Sequence, residues 1–171
     1  MAFGFLRLLG LRAAENVVDP QVAAAAAAIE RQLLGLGLRV KSRRHQSHFC
    51  EIVASTSSRM ITAPNDARAS GIALLLAGKY EPPTLVFEEI NSRQPGLGSA
   101  MVGAVLAGLG ENSAVFVRIR VDDASPRGAD GRSFWERMAA RHAGFDWAIS
   151  QNERKRAEAL SGRRAARTKP P

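Results

Sequence analysis

Between an apolar stretch, Thr84 to Ile90, and a run of helical spacing that starts at Leu97, the chain reads Asn91-Ser92-Arg93-Gln94-Pro95-Gly96-Leu97-Gly98. A turn of this composition is suited to holding an anion. Its glycines let the main chain approach a ligand closely, the first helical amides lack an intrahelical acceptor, and the aligned peptide dipoles add partial positive charge. A pyrophosphate is the natural occupant. Two other phosphate-binding patterns are excluded by residue type: a P-loop needs Gly-Lys-Ser/Thr, and the dinucleotide fingerprint needs a third glycine and a downstream acid. Pro95 removes one N–H that could otherwise reach phosphate.

The remaining reactive groups are sparse. Cys50 is the one cysteine, so the chain has no internal disulfide and no thiolate zinc cluster, and a reducing compartment, the cytoplasm, is expected. His45 and His48 lie near Cys50 in a basic segment with no carboxylate partner, and no metal site is expected from them. Asp122 and Asp123 follow Arg118 and Arg120, a pattern that reads either as a polar wall or as a surface lattice of ion pairs, with the lattice favoured.

The elements that must position the turn can be read from spacing. Asp19-Pro20 is a helix start, with Gln21 to Leu36 as the helix and Gly35 and Gly37 ending it. Leu38 to Thr62 favours one or two strands, and Ser70 to Ala77 and Thr84 to Ile90 are short apolar runs with the character of buried strands. Leu97, Met101, Val102, Val105, Leu106 and Leu109 recur at helical spacing, while Val115, Val117, Ile119 and Val121 alternate with Phe116, Arg118 and Arg120. Asp130 is expected to cap a helix carrying Phe134, Trp135, Met138 and Ala139, with Gly144 beyond it and a last strand over Phe145 to Ser150. Phe134 and Trp135 are expected in the core.

Arg93-x-x-Gly96-x-Gly98, set between a strand and a helix, is similar to motif A of the GNAT superfamily, the general-control-related N-acetyltransferases. The element order from Ser70 to Ser150, including a Phe134-Trp135 helix followed by Gly144-Phe145, resembles that family's core over about half of the chain. The resemblance implies an α/β (α+β) fold with a mixed, mostly antiparallel central sheet flanked by helices. It also implies acetyl-CoA or another acyl-CoA as cofactor, held along Ile90, Asn91, Arg93, Gln94, Gly96, Leu97, Gly98 and Ser99. The Arg43-Arg44-His45 cluster could hold the 3′-phosphate of that cofactor or a nucleic acid, or simply be solvated.

Acyl transfer to an amine needs a base for the ammonium proton and an acid near the departing thiolate. Glu88 and Glu89 are the base candidates; successive strand residues face opposite sides, so only one is expected in the cleft, and Glu89 is favoured. The family often places a tyrosine acid on the penultimate helix, where this chain has Phe134 and Trp135, and its one tyrosine, Tyr80, lies far upstream. Ser125 or Ser133 is the alternative proton donor.

The chain has 171 residues, enough for one domain, and a formal net charge of +8. Seven basic residues after Gln151 (Arg154, Lys155, Arg156, Arg163, Arg164, Arg167 and Lys169) stand against Glu153 and Glu158, which places five of the eight net charges there. The expected organisation is an amphipathic arm over 1–18, a GNAT-like domain over 19–150 and a basic flexible tail over 151–171. No apolar run is long enough to span a bilayer. Besides an acyltransferase with an amine acceptor, two further readings are carried: an inactive GNAT-like subunit that docks onto a larger assembly through its termini, and a nucleic-acid-associated protein whose tail meets phosphate. The few aromatic residues give little support to base stacking.

Overall fold

The computed structural model describes residues 19–45, 48–59, 69–111 and 115–157; the arm over 1–18 and the tail beyond 157 lie outside these, as do the side chains of Arg44 and His45. Asp19 caps the first helix, α1 (Pro20–Gly35), by accepting a hydrogen bond from the Gln21 amide, and Pro20 occupies the first turn. The chain then forms a meander of four antiparallel strands, β1 (Arg39–His45), β2 (Phe49–Ser55), β3 (Gly71–Ala77) and β4 (Thr84–Asn91). Helix α2 (Leu97–Gly110) crosses to β5 (Arg118–Asp123), and α3 (Phe134–Arg141) crosses to β6 (Asp146–Gln151), so that β4, β5 and β6 run parallel. The result is a mixed, mostly antiparallel six-stranded sheet in the order β1-β2-β3-β4-β5-β6, flanked by helices.

Register fixes which side chains share a face. Ile52, Leu74, Phe87, Val121 and Ile149 stand opposite one another from β2 to β6 and, with Val22 and Ile29 of α1, Met101 and Val105 of α2, and Trp135 and Met138 of α3, belong to one hydrophobic cluster. The other face carries Arg43, Glu51, Leu75, Val86, Arg120 and Ala148 as a matching row, charged on β1, β2 and β5 and apolar on β3, β4 and β6. No helix among the described residues is long and apolar enough to cross a membrane.

Three local features differ from expectation. The strand that follows α2 begins at Arg118, so the alternation over 115–117 does not hold: Phe116 is fully buried and Val117 is 43% exposed. Ser133, not Asp130, caps α3, accepting from the Glu136 amide while the Glu136 carboxylate accepts from the Ser133 amide. The folded chain also continues past Ser150. β6 runs to Gln151, residues 153–157 form a helical turn, and Arg156 is buried.

The alanine-rich α1 and the glycines of α2 serve close packing. A Cβ placed on Gly108 would stand 2.8 Å from the backbone of Ile29, whereas one on Gly103 would meet nothing within 4 Å. Gly108→Ala is therefore expected to destabilise the fold by about 1–3 kcal/mol through overpacking. Gly103→Ala, at a helical site open to a methyl group, should instead stabilise it by about 0.5–1 kcal/mol. Urea unfolding of the two variants checks the opposite signs.

Candidate functional site

β4 and β5 share hydrogen bonds only from Thr84 with Arg118 to Phe87 with Val121. Beyond that point β4 stays with β3 as far as Asn91, and β5 stays with β6 as far as Asp123. The two parallel strands thus part at their carboxyl ends and open a cleft, the place where crevices form in open α/β sheets. The cleft encloses about 540 Å³ and is lined by Phe87, Glu88, Glu89, Ile90 and Asn91 on one side and by Val121, Asp122, Ala124, Ser125, Pro126, Trp135 and Lys155 on the other.

A bulge shapes the first wall. Ala73 pairs with Glu89 and Leu74 with Phe87, so Glu88 has no opposite residue on β3. The extra residue breaks the two-residue alternation. Both glutamates line the cleft as a consequence, in place of the single one that regular alternation allows. Glu88 is exposed, while Glu89 is half-buried with one carboxylate oxygen withdrawn from solvent.

At the same end of the sheet lies the glycine turn. Gly96 adopts φ +80°, a left-handed conformation suited to glycine, and no side chain caps α2. The Arg93 amide donates to Ser70 Oγ at 2.8 Å, the Leu97 amide to the Gln94 carbonyl at 3.3 Å, and Ser92 Oγ to that same carbonyl at 2.7 Å. The amides of Gln94, Gly96, Gly98 and Ser99 have no acceptor among the described residues. Arg93, Gln94 and Gly96 are exposed, whereas Gly98 is buried, and a Cβ there would meet Ser92 Cβ at 3.3 Å and the Phe134 ring at 3.8 Å. The turn is open on its Arg93–Gly96 side and packed by Phe134 on its Gly98 side.

Trp135 is buried in the core against Phe87, with ring centroids 4.8 Å apart, and also reaches the cleft. Tyr80 lies before β4 starts, at the end of the sheet away from the cleft, and meets Phe49 edge-on. Ser133 is fully buried and engaged in capping α3. Ser125, the other hydroxyl expected to donate, lines the cleft but directs its proton to Asp123 Oδ1 at 2.6 Å and accepts from the Phe134 amide at 3.0 Å.

The two acids that end β5 separate by depth. Asp122 is on the surface, where hydrogen bonds from Asn152 and Lys155 hold its carboxyl below the ordinary value. Asp123 is fully buried, which departs from the surface lattice expected of both. Arg118 does join such a lattice, pairing with Asp146 at 2.8 Å. Cys50 lies in the core beneath β2, and His48 faces Asp19 across 3.7 Å.

Sequence reasoning missed Trp135 and Lys155 as cleft residues and Arg156 as a buried group behind it. Bulk and aromaticity marked Trp135 only as core, and the basic composition after Gln151 masked the other two. No protein-family model, curated protein or solved structure matches the chain.

The capping pair at α3 borders this site and carries a pH dependence. The Ser133 amide first, then Arg127, holds the Glu136 carboxyl below its ordinary value near 4.5, with burial opposing them. A depressed folded-state value means that the contribution is complete above that ordinary value and is lost as pH falls through the lower, folded one. Urea midpoints measured between pH 6 and pH 3 should therefore fall less steeply for Glu136→Gln than for the wild type.

Proposed function

We propose that this chain is an acyl-CoA-dependent N-acyltransferase acting on an amine acceptor. The observation that carries the reading is the parting of β4 and β5 beside the uncapped start of α2, which sets two glutamates and a set of open amides at one end of the sheet. The open amides of Gln94 and Gly96, with the exposed Arg93 side chain, suit a diphosphate. Past Phe87 β4 and β5 no longer pair, and the gap between them gives a pantetheine arm a course along the strand.

Acyl-CoA supplies the acyl group as a thioester. The chain's part is to place the amine and remove its proton. Glu88 and Glu89 attract an ammonium group, and the half-buried Glu89 accepts its proton so that the nitrogen lone pair is free. Ser125 is not poised as the acid, because its hydrogen already goes to Asp123. The thiolate would then take its proton from solvent or from the nitrogen that has just reacted.

That same geometry favours a second reading, a GNAT-like binding module without turnover: among the described residues, neither Tyr80 nor Ser133 nor Ser125 offers a free proton to the cleft. The nucleic-acid reading is weakened, because Arg156 is used internally and Lys155 pairs with Asp122 at 3.2 Å, so the tail has fewer free charges than its composition implies.

Isothermal titration with acetyl-CoA is expected to give a measurable Kd that Gly98→Glu weakens at least about 10-fold, since a charged side chain would push into Phe134 and the diphosphate position. Glu89→Gln should lower acetyl transfer, read as thiol release with a primary amine, by about 100-fold or more at unchanged acetyl-CoA affinity. Absence of binding by the wild type would overturn the cofactor assignment, and binding without thiol release would select the module.

A further inference from the structure

Behind the cleft wall lies a charged group for which the proposed chemistry has no use. Arg156 sits on the helical turn at 153–157 with a side chain only 7% exposed. A buried guanidinium needs partners for its fork of donors, and here they are present. Nε donates to the Ser125 carbonyl at 2.9 Å, Nη1 to Glu153, and Nη2 to Gln151 Oε1 and to the Asp123 carbonyl, while Asp123 Oδ2 stands 3.9 Å from Nη2. Asp123 Oδ2 makes no hydrogen bond among the described residues, so this guanidinium supplies the charge facing it. The other oxygen, Oδ1, accepts from both the amide and the hydroxyl of Ser125.

The arrangement forms a relay of fixed geometry running from Arg156 to Asp123, then Ser125, then the amide that begins α3. Resting on the cleft as the ligand site of the proposed function, we propose that Arg156 is a positioning residue: through Asp123 it locks Ser125 as a hydrogen-bond acceptor for an N–H group of the bound ligand. A hydroxyl has one donor and two acceptor positions. In Ser125 the donor is committed to Asp123 and one acceptor position to Phe134, leaving one lone pair on a residue that lines the cleft. An acceptor there selects a donor, either an amide of a pantetheine arm or the ammonium of the amine. Arg156, which composition marks as part of a tail, thereby supports the ligand site.

The test uses the full-length chain with Arg156→Met, Arg156→Lys, Ser125→Ala and the double variant Ser125→Ala/Arg156→Met. Three readouts are taken: amide hydrogen exchange at Ser125 and Phe134, acetyl-CoA affinity by titration, and KM for a primary amine by thiol release. Arg156→Met is expected to raise exchange at both amides at least about 10-fold with the amides of β1 to β3 unchanged, and to weaken acetyl-CoA or raise KM for a primary amine by a factor that the Ser125→Ala background abolishes; the absence of both ligand effects would overturn the proposal. Loss on the acetyl-CoA titration identifies the pantetheine amide as donor; an unchanged Kd with a raised KM for a primary amine identifies the ammonium.

Unchanged exchange at Ser125 and Phe134 overturns the proposal, as do effects of Arg156→Met and Ser125→Ala that simply add. If Arg156→Met loses protection throughout, Arg156→Lys decides: it keeps the charge without the fork, so the two amides must still exchange faster, and wild-type exchange there overturns the idea. If the wild type binds no acetyl-CoA, the cofactor reading fails while the exchange data still judge the relay from Arg156 to Phe134.

Discussion

A strand in a sheet can hydrogen-bond to one neighbour along each edge, and the whole site follows from where β4 and β5 stop sharing those bonds. After Phe87 and Val121 each strand keeps only its outer partner. The bulge at Glu88 increases local twist just where the strands part, which turns the end of β4 away from β5. Parallel strands also send their crossover helices off from the same end. The turn before α2 and the loop before α3 therefore meet at the opening without needing any further device.

Local chemistry was the part legible in the sequence. Asp19-Pro20 announced α1, the glycines announced the turn before α2, and the apolar runs over Ser70 to Ala77 and Thr84 to Ile90 became β3 and β4. In each case the residues that define the element also stabilise it, through a cap, a left-handed glycine or a stripe of buried side chains. Glu88, Glu89, Ile90, Asn91 and Ser125, named as site residues from sequence, all line the cleft.

What could not be read depended on partners distant in the chain. The placing of both glutamates on one cleft requires a bulge, and a bulge is defined by pairing with β3, not by the sequence of β4 alone. Phe116 and Val117 exchange their expected sides because strand phase starts at Arg118, where contact with β4 begins. Asp130 and Ser133 are both good capping residues, and the decision went to Ser133, which has Glu136 three positions on to complete a reciprocal pair. Arg156 finds its partners at Asp123 and Ser125, 33 and 31 positions away in the chain. Composition can count such a charge but cannot say that it is buried.

The close approach of α2 to α1 at Gly108 and Ile29 means that the two sides of the cleft are held by different kinds of contact. One side is backed by interlocked apolar helices that have no room to yield. The other is tied together by directed polar contacts among Asp123, Ser125, Arg156 and the start of α3, which hold a buried charge and set each group at one place. A molecule entering the opening would therefore meet two firm walls, one set by packing and one by directed bonds, and adjustment of shape would fall to the guest.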